Sequence, residues 1–171
     1  MIYFITEAYL KNNTPITKNV DVNDVVPYIK PASDMRVQFL LGTYFYNYLL
    51  GVYNAQTANA DETTLIEKIQ SIVAWRSAEQ AAFGLSYQLK NKGIQVQSGE
   101  YSQNVGQGEV AFVMDHYSQM AAFYEERVRK YILEEKALYP QFTSALNKDS
   151  DIKPPEDCED NSSYNNTMMV I

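Results

Sequence analysis

The sequence has one cysteine, one histidine and one tryptophan in 171 residues. A lone Cys158 excludes an internal disulfide, and one cysteine with one histidine cannot supply the ligand spacing of a structural zinc site. Every nucleophilic triad would have to run through His116, and the cysteine that would pair with it lies in an acidic, proline-bearing tail. A carboxylate-bridged metal site in a helical bundle calls for Glu-x-x-His on two helices, which Val113-Met114-Asp115-His116 does not provide. Gly106-Gln107-Gly108 has neither the lysine of a phosphate loop nor a buried parallel strand before it. An enzyme would need a pocket built around Asp115, His116 and Tyr117. The expectation is therefore no catalytic residues, no cofactor and no metal.

Long apolar runs are also missing. Met1-Ile2-Tyr3-Phe4-Ile5 is followed at once by Thr6 and Glu7, too short and without the basic start of a signal peptide. No stretch approaches the ~18 apolar residues of a membrane span. These features, with the single cysteine, lead to an expected cytosolic setting without membrane contact. Basic residues are outnumbered by acidic ones, 14 to 21, for a formal charge of −7. That balance argues against nucleic-acid binding, which depends on lysine and arginine, but not against DNA as a neighbour that does not adhere.

What the chain does have is apolar and aromatic surface. With 46% hydrophobic residues, 14 tyrosines and 7 phenylalanines, it can build one domain with a real core and a tail. The central stretch is a long helix over 65–91, with Asp61 as its cap and Gly93 as its stop. Leu65, Ile66, Ile69, Ile72 and Val73 share one face of its first half, whereas Trp75, Ala78, Ala82, Leu85 and Leu89 share another in the second. A helix that changes its buried face has different neighbours along its length.

Around it the first twenty residues look like an extended arm, with Ile2, Phe4 and Ile16 as anchors at best. Asp21 and Asn23 can cap a helix through Ile29, which Pro31 should kink or restart, and Gly42-Thr43 reads as a stop followed by a new cap. Tyr44 to Tyr53 forms a short aromatic helix, with Tyr44, Tyr48 and Leu49 on one face. After Gly93, alternation over 94–97 and a return over 101–105 predict a β-hairpin. A second long helix follows from Glu109 to Leu138, with a stripe from Val110, Val113 and Tyr117 to Tyr131, Ile132 and Leu138 wide enough to pack along the first. On its back stand Phe112, His116 and Phe123, either scattered surface aromatics or a contact ridge for another copy of the chain. Glu125, Glu126, Glu134 and Glu135 among Arg127, Arg129, Lys130 and Lys136 read as a solvated face.

From residue 148 onward six acids stand against two lysines, carrying −4 of the −7, with Pro154-Pro155 and a Ser/Asn run. This composition predicts an acidic arm that buries no core. Its apolar end, Met168-Met169-Val170-Ile171, is either a docking strand or a frayed terminus. The fold expected is mainly α: a small helical bundle around two long antiparallel helices, with a short β-hairpin between them at about 94–105 and extended terminal arms. The divisions are an arm over 1–20, a helical domain over 21–147 and an acidic arm over 148–171.

Several segments carry a family resemblance. They are Pro27-x-Ile29-x-x-Ala32-x-Asp34, Leu40-Leu41-Gly42-x-x-x-Tyr46-x-x-Leu49, Asn91-Lys92-Gly93-Ile94, Phe123-Tyr124-x-x-Arg127 and Tyr139-Pro140. In that order and spacing, from Val20 to Pro140, the chain resembles the head–tail connector (adaptor, or neck ring) proteins of tailed bacteriophages, most closely those of crAss-like phages. The resemblance implies a structural virion protein, assembled in the host cytoplasm. It would form a homo-oligomeric ring, dodecameric in such proteins, between the portal protein and a second neck or tail ring protein. Genomic DNA would pass through the channel without specific binding. The competing expectation is a phage-encoded acidic helical protein that binds and inhibits a host factor.

Overall fold

The computed structural model describes residues 3–16, 19–90, 93–96 and 107–153, and these are mainly helical. In chain order they form α1 (Glu7–Asn13), α2 (Val22–Ala32), a π-helical turn (Ser33–Gln38), α3 (Phe39–Leu41), α4 (Thr43–Ala55), α5 (Ala60–Ser86), strands β1 (Tyr87–Lys90) and β2 (Gly93–Val96), α6 (Gln107–Glu134) and a 3-10 turn (Lys136–Leu138).

The N-terminal segment is not the extended arm its composition predicts. Thr6 accepts a hydrogen bond from the Tyr9 amide and starts α1, whose Leu10 is fully buried. Phe4 and Ile5 are also core residues, Phe4 meeting the rings of Tyr46 and Tyr53 at 5.7 and 5.8 Å. The amide of Gln70 donates to the Phe4 carbonyl at 2.8 Å and fixes the segment to α5. In α2 the chain continues through Pro27 and Pro31 instead of breaking, and the π-helical turn follows directly. Proline removes a backbone donor, and a wider turn is one way a helix absorbs that loss.

α5 starts earlier than expected because its cap is Asn59 rather than Asp61. Asn59 Oδ1 accepts from the Glu62 amide at 2.8 Å while Glu62 Oε2 accepts from the Asn59 amide at 2.9 Å, a reciprocal capping box. Glu62 is buried, and its second oxygen accepts from Tyr48 Oη at 2.5 Å, so the cap also ties α5 to α4. α5 ends at Ser86 without reaching Gly93, because the next residues form β1. The hairpin expected over 94–105 is not supported: Ile94 pairs back with Leu89 and Val96 with Tyr87, so β2 closes antiparallel on the chain before it. The return predicted at 101–105 lies outside the described residues.

Contacts along α5 and α6 run in opposite order. Tyr139 reaches Asp61, Lys68 lies 4.7 Å over the Tyr131 ring, and Trp75 meets Tyr117 at 5.6 Å. The two long helices are therefore antiparallel. The first half of α5 buries Leu65, Ile66, Ile69, Ile72 and Val73 as its pattern predicts, whereas the second half buries Ala74, Arg76, Ser77, Ala78 and Ala81 and leaves Trp75 and Ala82 only half-buried. Small side chains let neighbours approach closely there, and at Gly84 the Tyr28 phenol of α2 occupies the space where a methyl group would stand. On α6 the buried positions are Val110, Ala121, Val128 and Ile132 and Val113 is exposed; the helix stops at Glu134, so Leu138 lies on the 3-10 turn and is exposed as well. On α4 the buried residues are Phe45, Tyr46, Leu49 and Leu50, with Tyr44 turned outward.

The segment after α6 closes the fold. Tyr139 is buried, packs on Phe45 and donates to the Asp61 carbonyl at 2.9 Å. Burial, with the Tyr131 hydroxyl beside it, pushes its phenol well above the ordinary tyrosine range. Residues 148–153, expected to begin the acidic arm, return to the α3–α4 junction. There Gly42 takes φ +82° at the N-cap of α4, and having no side chain it leaves the helix without a local side-chain cap. Asp149 supplies it from 106 residues away, accepting from the Thr43 amide at 2.9 Å and the Thr43 hydroxyl at 2.5 Å. Asn147 donates to the Leu41 carbonyl at 2.9 Å, Ser150 to the Leu40 carbonyl at 2.8 Å, and Ile152 is buried.

Two outcomes are expected. Tyr139→Phe should lower unfolding free energy by about 1 kcal/mol in denaturant titrations, since it removes a net intramolecular hydrogen bond. The hydrogen bonds from Thr43 hold the Asp149 carboxyl below its ordinary range, so its contribution is complete above about pH 4 and is lost as pH falls below it. Limited proteolysis should then cut 141–153 faster at low pH, and Asp149→Ala should give the same pattern at neutral pH.

Candidate functional site

Phe112, His116, Gln119 and Phe123 follow one another at helical spacing along α6, and all four are exposed. At ~1.5 Å per residue the line from Phe112 to Phe123 is about 16 Å long. Phe112 is 75% exposed and Phe123 54%, values unusual for phenylalanine on a helix that buries its opposite face. Phe123 is held from both sides, edge-on to Tyr124 at 5.4 Å and under the Arg127 guanidinium at 5.5 Å. His116 lies 6.0 Å from the Tyr117 ring.

Asp115, His116 and Tyr117 do not converge on a pocket. Asp115 accepts from Gln119 at 2.7 Å on the outer surface, His116 stands on the ridge, and Tyr117 turns towards Trp75. Among the described residues no group of three or more His, Cys, Asp or Glu side chains is placed to hold a metal ion, and no helix is long and apolar enough to cross a membrane. The expected docking strand Met168, Met169, Val170 and Ile171 lies outside the described residues.

What orients the ridge is a buried cation that periodicity did not single out. Arg76 on α5 is 5% exposed, and its guanidinium donates to Glu125 of α6 at 2.7 Å, to Glu79 at 2.8 Å and to Ser118 of α6 at 2.9 Å. Burial opposes the charged form, but the hydrogen bonds to Glu125 and Glu79 outweigh it and raise the guanidinium above its already high ordinary value. Ser118 and Glu125 are seven residues apart, two turns of the same face, so both engage Arg76 only in one rotation of α6. In that rotation Phe112, His116 and Phe123 face solvent. The sequence signal was available: an arginine among the small residues of a core helix, with a carboxylate one turn on.

A second set of exposed apolar residues lies elsewhere. Met35 and Phe39, four residues apart, are 66% and 59% exposed on the π-helical turn and α3. α5 packs against α2 and this turn as well as against α6, and α2 and α6 make little contact with each other. The two apolar sets therefore sit on separate elements with α5 between them.

Replacing Arg76 by methionine leaves Glu79 and Glu125 partly buried without their cation, and should cost about 2–4 kcal/mol, below the upper limit for buried pairs because both carboxylates retain solvent. Arg76→Lys keeps the charge without the fork and should lose less than the methionine variant in the same denaturant titration.

Comparison with known proteins adds one assignment. No curated protein and no solved structure matches the chain. A family model matches residues 37–152, more than half of the chain, and spans both the Gly42 junction and the segment that caps it. The chain belongs to DUF6712, a family of unknown function.

Proposed function

We propose that the chain is a ring-forming structural subunit of a phage neck, joining the portal to the tail and lining the DNA channel. The observation that carries this reading is the exposed aromatic ridge of Phe112, His116 and Phe123 on a helix whose other face packs on α5. Contiguous exposed aromatics on a stable helix are what a protein partner covers. A closed ring of identical subunits needs two different faces per copy, because each contact is head-to-tail. The ridge on α6 and the Met35–Phe39 surface supply two such faces. The formal charge of −7 suits a channel past which DNA slides without sticking, since like charge repels phosphate. The ordered resemblance to connector proteins from Val20 to Pro140 favours the same role.

Phe112→Asp with Phe123→Asp tests the interface. Both side chains are exposed, so stability should change by no more than about 0.5 kcal/mol, while self-association on sedimentation and incorporation into particles are lost. Placement is tested on density-purified virions by mass spectrometry and gold-labelled antibody. Label at the single tail vertex is expected. Absence of the chain from virions would overturn the neck assignment and leave an acidic inhibitor of a host factor as the better reading.

A further inference from the structure

The C-terminal segment forms a second feature unrelated to the ridge. Below the end of α6, residues 133–153 enclose a cleft of about 410 Å³, within the usual ~300–1,000 Å³ range of ligand pockets. Lys136, Lys148 and Lys153 line it, and all three are exposed. Among the described residues none of the three is paired with a carboxylate. The acids of the same segment are already engaged elsewhere: Asp149 with Thr43, and Asp151 with Arg129 at 2.5 Å. The cleft thus gathers three lysines that no carboxylate of the described residues pairs with, in a chain whose formal charge is −7. Its floor is apolar, from Phe142 and Ile152, and Ser144 Oγ, which accepts from the Leu146 amide, keeps a proton to donate.

Such a site takes a carboxylate-rich segment with a little apolar contact rather than a neutral ligand. The densest acidic run in the sequence is Glu156-Asp157-Cys158-Glu159-Asp160, four acids in five residues, beginning three positions after Lys153. Only Pro154 and Pro155 separate this run from Lys153, and with φ fixed at two successive positions so short a connection has few ways back into the cleft of its own chain. We propose that the lysine-lined cleft receives the acidic segment 156–160 of a second copy of the chain. The inference uses the self-association of the connector reading, but not its location at a phage neck.

The test uses full-length protein, mixed in equal amounts as light and nitrogen-15-labelled chains and coupled with a zero-length carbodiimide that joins lysines to carboxylates in contact. Peptide mass spectrometry should find Lys136, Lys148 or Lys153 linked to 156–160 in mixed light–heavy pairs. Lys148→Glu with Lys153→Glu should reduce the mixed links that Lys136 can still form about tenfold, the loss expected when two lysine–carboxylate pairs become repulsive, without shifting the melting temperature. Links found only within light or only within heavy chains would overturn the second-copy assignment, and no links from these lysines would overturn the cleft as the receptor. Either result is independent of the virion experiment, because a chain absent from particles would still give or lack the mixed links.

Discussion

A guanidinium taken out of water must have its charge and its donors matched where it lies, and Arg76 is where that requirement determines how the two long helices meet. Its partners are on both helices: Glu79 on α5, Ser118 and Glu125 on α6. Apolar packing alone would tolerate a range of rotations and slides of α6, because alanines and valines present a smooth surface. Three directed hydrogen bonds from one planar group do not. The consequence reaches the surface, since the rotation that satisfies Arg76 also presents Phe112, His116 and Phe123 to solvent. Which face of α6 meets solvent is thus set from inside the fold.

The same logic of long-range closure operates at Gly42. A left-handed glycine turns the chain sharply between α3 and α4, and the amides it leaves are satisfied by Asp149 and Asn147, more than a hundred residues later in sequence. Tyr139 and Ile152 bury apolar surface on either side of those bonds. The two ends of the domain are therefore cooperative: the junction lacks its cap unless the C-terminal segment docks, and the segment has little to dock on unless the junction forms. That the family match ends at Ile152 agrees with this segment being part of the fold.

Three surface features then divide the labour in the proposed assembly. The ridge and the Met35–Phe39 surface are apolar and belong to neighbouring copies, whereas the lysine cleft is electrostatic and belongs to an acidic segment. Apolar faces supply most of the association energy, and charge matching gives register and partner choice. A chain with acids in excess can keep its subunits soluble and apart by repulsion and still hold a localised positive site for one anionic segment.

Much of the bundle was legible in the sequence because it rests on local rules. The first-half stripe of α5, the stripe of α6 through Val128 and Ile132, and the antiparallel pairing all follow from helical periodicity and the need to bury it. The exposure of Phe112 and Phe123 was readable as the back of that stripe. What the sequence could not determine were the contacts between residues far apart along it. Asn59 rather than Asp61 caps α5 because Glu62 is drawn into the core by Tyr48. Phe4 is a core residue and not a loose anchor because Tyr46 and Tyr53 leave a space for it. The hairpin shifted to 87–96 because strand pairing is chosen by which neighbour the backbone meets, and alternation over 94–97 names no partner. The sequence by itself determined which faces must be buried, since water excludes apolar surface wherever it lies. Only the tertiary structure decided which polar groups answer Arg76 and the Gly42 junction, because hydrogen bonds and charges need a partner in place and at the right distance.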